Sequence, residues 1–135
     1  MSPENIEIVR RASEAYGRRD LDGIVEHWAP DAVFDWSNSR GPEAGVYRGH
    51  DEIRAFARRF LAAWEDVRIE IEDVVEIDEH DDLLVVENVT YFRGRDGIET
   101  QARSAWLVTF RDGRQTSLTM YQTKRDALEA AALRE

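Results

Sequence analysis

The sequence predicts an α+β domain, and three observations predict it. Apolar residues recur at helical spacing in the first half, apolar–polar alternation fills the second half, and Gly-containing turns separate the alternating runs. Strands linked by consecutive hairpins form an antiparallel sheet, and the helices must cover one of its faces. At 135 residues the chain is one domain, 1–135, long enough to bury about two thirds of its unfolded surface.

Each element has its own signal. Ser2-Pro3 reads as an N-cap followed by proline at the first helical position. Ile6, Val9, Ser13 and Tyr16 follow at helical spacing, with Gly17 as the stop. Asp20 caps a second helix whose apolar face is Leu21, Ile24, Val25 and Trp28, ended by Pro30. Ala32 to Trp36 is a short strand. Ser37 to Arg48 is a polar loop of roughly twelve residues, a length that often carries function. Gly49-His50-Asp51-Glu52 opens a third helix with the stripe Ile53, Phe56, Ala57, Phe60, Leu61 and Trp64.

The period then changes. Val67, Ile69 and Ile71 alternate with Arg68, Glu70 and Glu72, and a phase slip at Asp73-Val74-Val75 predicts a bulge. Two long strands, Leu83–Arg93 and Ile98–Arg111, join around Asp96-Gly97, and Asp112-Gly113 turns the chain into Gln115–Thr123. Ala127, Leu128, Ala131 and Ala132 mark a short C-terminal helix.

Side-chain direction follows from register. A three-residue loop at Arg111-Asp112-Gly113 sets Val108 opposite Thr116 and Trp106 opposite Leu118. Ser104, Trp106, Val108, Phe110, Leu118 and Met120 then share one face, whereas a two-residue loop mixes Trp106 with Thr119. Burial favours the first. For the preceding strand, one parity points Val85, Glu87, Val89 and Tyr91 inward; the other points Leu84, Val86, Asn88 and Thr90 inward. Bulk favours the former.

Composition narrows the function. The chain has no cysteine, which excludes disulfides, thiolate chemistry and Cys-ligated metal. Its 28 acidic against 18 basic residues give a charge of −10, which argues against a nucleic-acid partner. The adjacent basic pairs sit among acids, as solvated helix faces do. No run approaches the ~20 apolar residues of a membrane span, and the N-terminus lacks the pattern of a signal peptide. The expectation is a soluble cytoplasmic protein. His27, His50 and His80 are scattered, so neither a metal nor another cofactor is expected, and no Gly-rich phosphate loop is present.

Motifs along almost the whole chain carry a family resemblance. They are Asn5 to Arg11, Arg19-Asp20-Leu21-Asp22, Pro30-Asp31, Asp35-Trp36-Ser37, Val46-Tyr47-Arg48-Gly49, Arg111-Asp112-Gly113 and Ala127 to Ala131. In this pattern the chain resembles the SnoaL-like family of the nuclear transport factor 2-like superfamily. The resemblance implies a cone-shaped fold: three N-terminal helices packed on a strongly curved antiparallel sheet, with a short C-terminal helix. It also implies a cavity between sheet and helices, and a homodimer formed through the outer sheet face. The superfamily holds ketosteroid isomerases, polyketide cyclases, epoxide hydrolases and non-enzymatic binders, so the resemblance leaves function open.

Within that frame the aromatic supply suggests an apolar cavity. Its expected lining is Trp28, Trp36, Phe56 and Phe60 from the first half, with Asn88, Tyr91, Trp106 and Met120 from the late strands. A dry void of ~300 Å³ would cost about 7 kcal/mol at ~24 cal/mol per Å³, so the cavity should be small, wet or occupied. The candidate catalytic residues are Asp35, Glu87 and Tyr47. Asp35, set between Phe34 and Trp36, would abstract a proton next to a carbonyl, and Tyr47, by analogy with the isomerases, would donate to the oxyanion. An inward Glu87 would be a desolvated general acid/base. The bland alternative for Asp35 is an Asx-type turn onto Ser37 to Ser39. In the related cyclases an acidic residue acts from a late strand; aligning on Asp112-Gly113 places Trp106 at or near that position, which weighs against cyclase chemistry. The expected function is binding of a small hydrophobic metabolite. The alternative is a cofactor-independent acid/base enzyme acting on a small carbonyl or hydroxy compound.

Overall fold

The computed structural model describes residues 3–77 and 82–134. Its elements are α1 (Pro3–Arg18), α2 (Leu21–Val25), β1 (Trp28–Asp35), β2 (Val46–Arg48), α3 (Gly49–Ala62), β3 (Asp66–Glu76), β4 (Leu83–Arg93), β5 (Glu99–Arg111), β6 (Arg114–Tyr121) and α4 (Lys124–Arg134). The architecture is α+β, as expected. The six strands run in the order β2-β1-β6-β5-β4-β3. The sheet is mixed rather than purely antiparallel, because β1 lies parallel to β6. The hairpin signals covered only the later strands and could not reveal where β1 inserts.

The first helix passes through Gly17 and stops one residue later, at Arg18. Arg19 takes a left-handed φ of 58°, Asp20 N donates to Ala15 O at 3.0 Å and Arg19 N to Tyr16 O at 3.1 Å. This is a Schellman ending with arginine in the position glycine usually fills. Asp20 then caps α2 by accepting from Gly23 N at 3.0 Å. That helix ends at Val25, and Trp28 and Pro30 belong to β1 instead. Proline fits there because the β1–β6 register shifts between Trp28 and Val33, so Pro30 faces no ladder bond that needs its missing N–H. The far end of the polar loop is the strand β2, with Phe34 opposite Tyr47.

The bulge in β3 falls where the phase slip predicts it. The β3–β4 register shifts between Ile71 and Asp73, so Ile69, Ile71 and Val74 join the main core while Val75 turns to the other face. The β5–β6 turn differs from both expected registers. Positive φ at Asp112 and Gly113 (53° and 76°) makes a two-residue turn, with Arg111 opposite Arg114. One extra residue, Thr116, then enters β6 before Thr109 pairs with Ser117, and both hydroxyls lie 2.6 Å from Thr109 Oγ1. The bulge sets Val108 opposite Leu118 and Trp106 opposite Met120, which preserves the expected shared face.

Two apolar clusters fill the two sides of the sheet. The main one lies between the sheet and α1–α3 and includes Val9, Trp28, Phe34, Ile53, Phe56, Leu84, Val86, Trp106 and Val108. The smaller lies under α4 and holds Leu83, Val85, Ala105, Leu107, Ala127 and Ala131. The inward parity of β4 is therefore Leu84, Val86, Asn88 and Thr90, opposite to the bulk-based expectation. Bulk misled because α4 supplies a second apolar layer that also buries Val85.

Candidate functional site

An inner apolar hollow of about 50 Å³ lies between the sheet and α1–α3. Val9, Ala12, Ser13 and Tyr16 of α1, Trp28 and Phe34 of β1, and Phe56 and Phe60 of α3 form much of its wall. Trp36, Ile69, Thr90, Trp106, Gln115 and Leu118 complete it. In a flat sheet, four strand steps of about 4.8 Å would hold β1 and β3 about 19 Å apart. That both strands reach one small hollow means the sheet curls around it.

Aromatic faces shape the hollow. Phe34 and Trp36, two residues apart on one side of the strand, stack with centroids 5.1 Å apart. Phe56 and Phe60, one helical turn apart, stack at 5.6 Å, and Trp36 meets Phe56 at 5.5 Å. Past Trp36, Phe60 and Thr90 the hollow adjoins an outer vestibule of about 370 Å³, since these three residues line both. Trp64, Phe92, Ser104, Met120 and Gln122 also wall the vestibule, together with Ser39 to Glu43 of the polar loop.

The loop is anchored over this mouth at both ends. Asn38 Nδ2 donates to Met120 O at 2.8 Å and Gln122 Nε2 to Asn38 O at 2.7 Å. Tyr47 Oη donates to Glu43 O at 2.6 Å, and Arg59 Nε donates to Glu43 Oε2 at 2.8 Å.

The expected lining residues divide into three groups. Trp28, Trp36, Phe56, Phe60 and Trp106 wall the inner hollow, and Met120 walls the vestibule. Asn88 points inward and is fully buried, but it lines neither space; its Oδ1 accepts from Ser104 Oγ at 3.1 Å. Tyr91 lies on the outer face with the Arg68 guanidinium 4.2 Å above its ring, a consequence of the reversed β4 parity.

The three expected catalytic residues are not brought together. Asp35 points away from Phe34 and Trp36, and its Oδ1 accepts from Ser37 N at 3.0 Å and Ser37 Oγ at 2.6 Å, the Asx-type arrangement. Its charge bears instead on Tyr121, whose phenol is pushed up first by burial; Arg134 opposes that rise and Asp35 adds to it. Glu87 shares the outer parity of Val85, and its charge helps raise Lys124 of α4, after the larger influence of Asp73. Tyr47 keeps its ring 4.9 Å from Phe56 while its hydroxyl is spent on Glu43 O. No carboxylate lines the inner hollow among the described residues.

Three polar wall residues carry no site signal in the sequence. Tyr16 sits on the apolar stripe of α1, and burial pushes its phenol well above its ordinary value. Thr90 comes inward with the true β4 parity. Gln115, 2% exposed, opens β6 beside Trp28. The small residues Ala12 and Ser13 next to Tyr16 are the one hint of space on that helix. Among the described residues no group of three or more His, Cys, Asp or Glu is placed to hold a metal. His50 Nε2 bonds Trp28 O at 2.8 Å, and His80 lies outside the described residues. No described helix is long and apolar enough to cross a membrane.

Comparison with known proteins gives a family. The SnoaL-like domain matches residues 9–118, and the chain belongs to that family. An uncharacterized protein of Mycobacterium tuberculosis is 30% identical over 127 residues, covering 93% of this chain and 94% of that protein. Among solved structures, a nuclear transport factor 2-like protein of unknown function from Burkholderia pseudomallei superposes with a TM-score of 0.75. Its identity is 23%, and the match covers 93% of this chain and 95% of the other. A second Mycobacterium tuberculosis protein, solved in complex with estradiol-17beta-hemisuccinate, also superposes with a TM-score of 0.75. Here identity is 16%, and 89% of this chain and 94% of the other are covered. These structural likenesses establish the nuclear transport factor 2-like fold.

Proposed function

We propose that this SnoaL-like protein binds a small, largely apolar molecule whose head enters the inner hollow and whose remainder lies in the vestibule. The observation that carries this reading is the shared wall of Trp36, Phe60 and Thr90, which joins a narrow aromatic space to a larger one beneath an anchored loop. An inner hollow of about 50 Å³ is too small for a whole ligand of ordinary size, whereas the vestibule's 370 Å³ falls in the ligand range. The estradiol ester held by a protein of the same fold supports a flat apolar body as the ligand class. The absence of a carboxylate from the described inner lining favours binding over the acid/base alternative.

Native mass spectrometry and thermal shift across a lipophilic library test the proposal. At least one flat apolar compound should raise the melting temperature of the wild type and of Asp35→Asn and Glu87→Gln equally. A library that shifts nothing, with no molecule retained on purification, refutes the reading. Loss of binding in either carboxylate variant would restore the acid/base alternative.

We also propose that two copies associate through the half of the outer sheet face that α4 leaves open, around Tyr91. Sedimentation that finds only monomer at micromolar concentration would refute it.

A further inference from the structure

We infer that Trp106 is the specificity-determining donor of this site, and that the ligand presents a neutral hydrogen-bond acceptor to its indole N–H. The inference rests on the binding reading above and adds the ligand's polar feature. Among the described residues, two buried side-chain atoms lack a hydrogen-bond partner: His27 Nε2 and Trp106 Nε1. The first lies 3.7 Å from Glu26 Oε2, so a carboxylate faces it. The second has nothing. An indole nitrogen only donates, and Trp106 is 6% exposed, so bulk water does not serve it.

Its surroundings explain why no protein group answers. Trp106 pairs with Val86 and Met120 across the sheet, and Val108 and Phe110 follow it along the inner face of β5. Ser104, two residues before it on that face, is committed to Asn88 Oδ1. A native fold rarely leaves a buried donor unmet without a use for it. Trp106 forms part of the hollow's wall, so the hollow is the side from which a ligand's acceptor would approach its N–H.

The wall also sets the acceptor's charge. No charged side chain lines the inner hollow among the described residues, so an ionised group would enter without a counter-charge. A ketone, ester or amide oxygen on a flat ring fits; a carboxylate at that end does not. Stacked Phe34–Trp36 and Phe56–Phe60 accept the ring. Trp106 Nε1 is the donor of this wall left without a partner, so an analogue of the same shape that lacks the acceptor leaves it unmet and binds less tightly.

Indane and 1-indanone are such a pair, alike in shape and differing in one carbonyl oxygen. Titration calorimetry on the whole chain should find 1-indanone bound about tenfold more tightly than indane, the span one net hydrogen bond allows. In Trp106→Phe that preference should disappear. The wild type gives a second readout that needs no variant: the assigned indole N–H proton of Trp106 should shift downfield with 1-indanone and not with indane. Equal affinities in the wild type, a preference that survives Trp106→Phe, or an unmoved Trp106 proton overturns the inference and leaves the binding reading standing. If neither compound binds while a larger lipophile does, the small-head assignment falls and the inference with it. If no lipophile binds at all, the binding reading itself has failed.

Discussion

Arg19 shows how a single residue can tolerate an unfavourable backbone. A left-handed conformation costs a non-glycine residue about 1–2 kcal/mol. Its guanidinium donates to Leu61 O at 2.8 Å, to Trp64 O at 2.7 Å and to Glu65 O at 2.7 Å, so it caps the end of α3 from the end of α1. Three charge-assisted bonds outweigh the strain. Arg19→Met should lower the unfolding free energy by about 2 kcal/mol in chemical denaturation, and Arg19→Lys should recover only part of it because an ammonium lacks the planar fork. Tyr16 makes a second prediction at this scale. Its folded-state value lies above the ordinary 10.0, so the neutral phenol stabilises the fold fully below pH 10. That contribution is lost as pH rises through the folded value. In a spectrophotometric titration one tyrosine should ionise only with alkaline unfolding, and Tyr16→Phe should remove that phase and extend stability to higher pH.

The hairpin of β5 and β6 governs the site at the scale of elements. A two-residue turn alone would pair Trp106 with Thr119 and turn one strand's inner face outward. The extra Thr116 restores the pairing with Met120, and the Thr109 hydroxyl holds the bulge shut. Both turn residues have positive φ, and open space surrounds a Cβ at Gly113, so its cost there is conformational alone. Gly113→Ala should destabilise by about 1 kcal/mol, whereas Asp112→Asn should be neutral or slightly stabilising, as measured by thermal midpoints. The same arithmetic of faces decided β4. Its sequence is apolar on both sides, and only the packing of α4 over Val85 and Leu107 distinguishes inside from outside.

The molecule as a whole keeps a hollow that it can support. At ~24 cal/mol per Å³, an inner space of about 50 Å³ costs about 1 kcal/mol if dry, far less than a ligand-sized void would. The larger space is left at the mouth, where solvent enters. Filling the inner space should therefore separate stability from binding. Ala12 lines it from α1. Ala12→Leu should hold or slightly raise the melting temperature while weakening apolar ligands at least tenfold, read by thermal shift and calorimetry on the same samples.

The sequence by itself determined the fold class, the order of elements apart from β2, the bulge in β3 and most of the aromatic wall, because hydrophobic period and turn chemistry act over a few neighbouring residues. Phe34, Trp36, Phe56 and Phe60 could be placed from spacing alone. Only the tertiary structure decided the parallel β1–β6 pairing, the inward face of β4 and the outward turn of Asp35 and Glu87. Each depends on which distant element covers a given surface: α4 over β4, and β6 beside β1. The missing partner of Trp106 Nε1 belongs to the same class, since a hydrogen bond left unmade is visible only when every neighbour is in place.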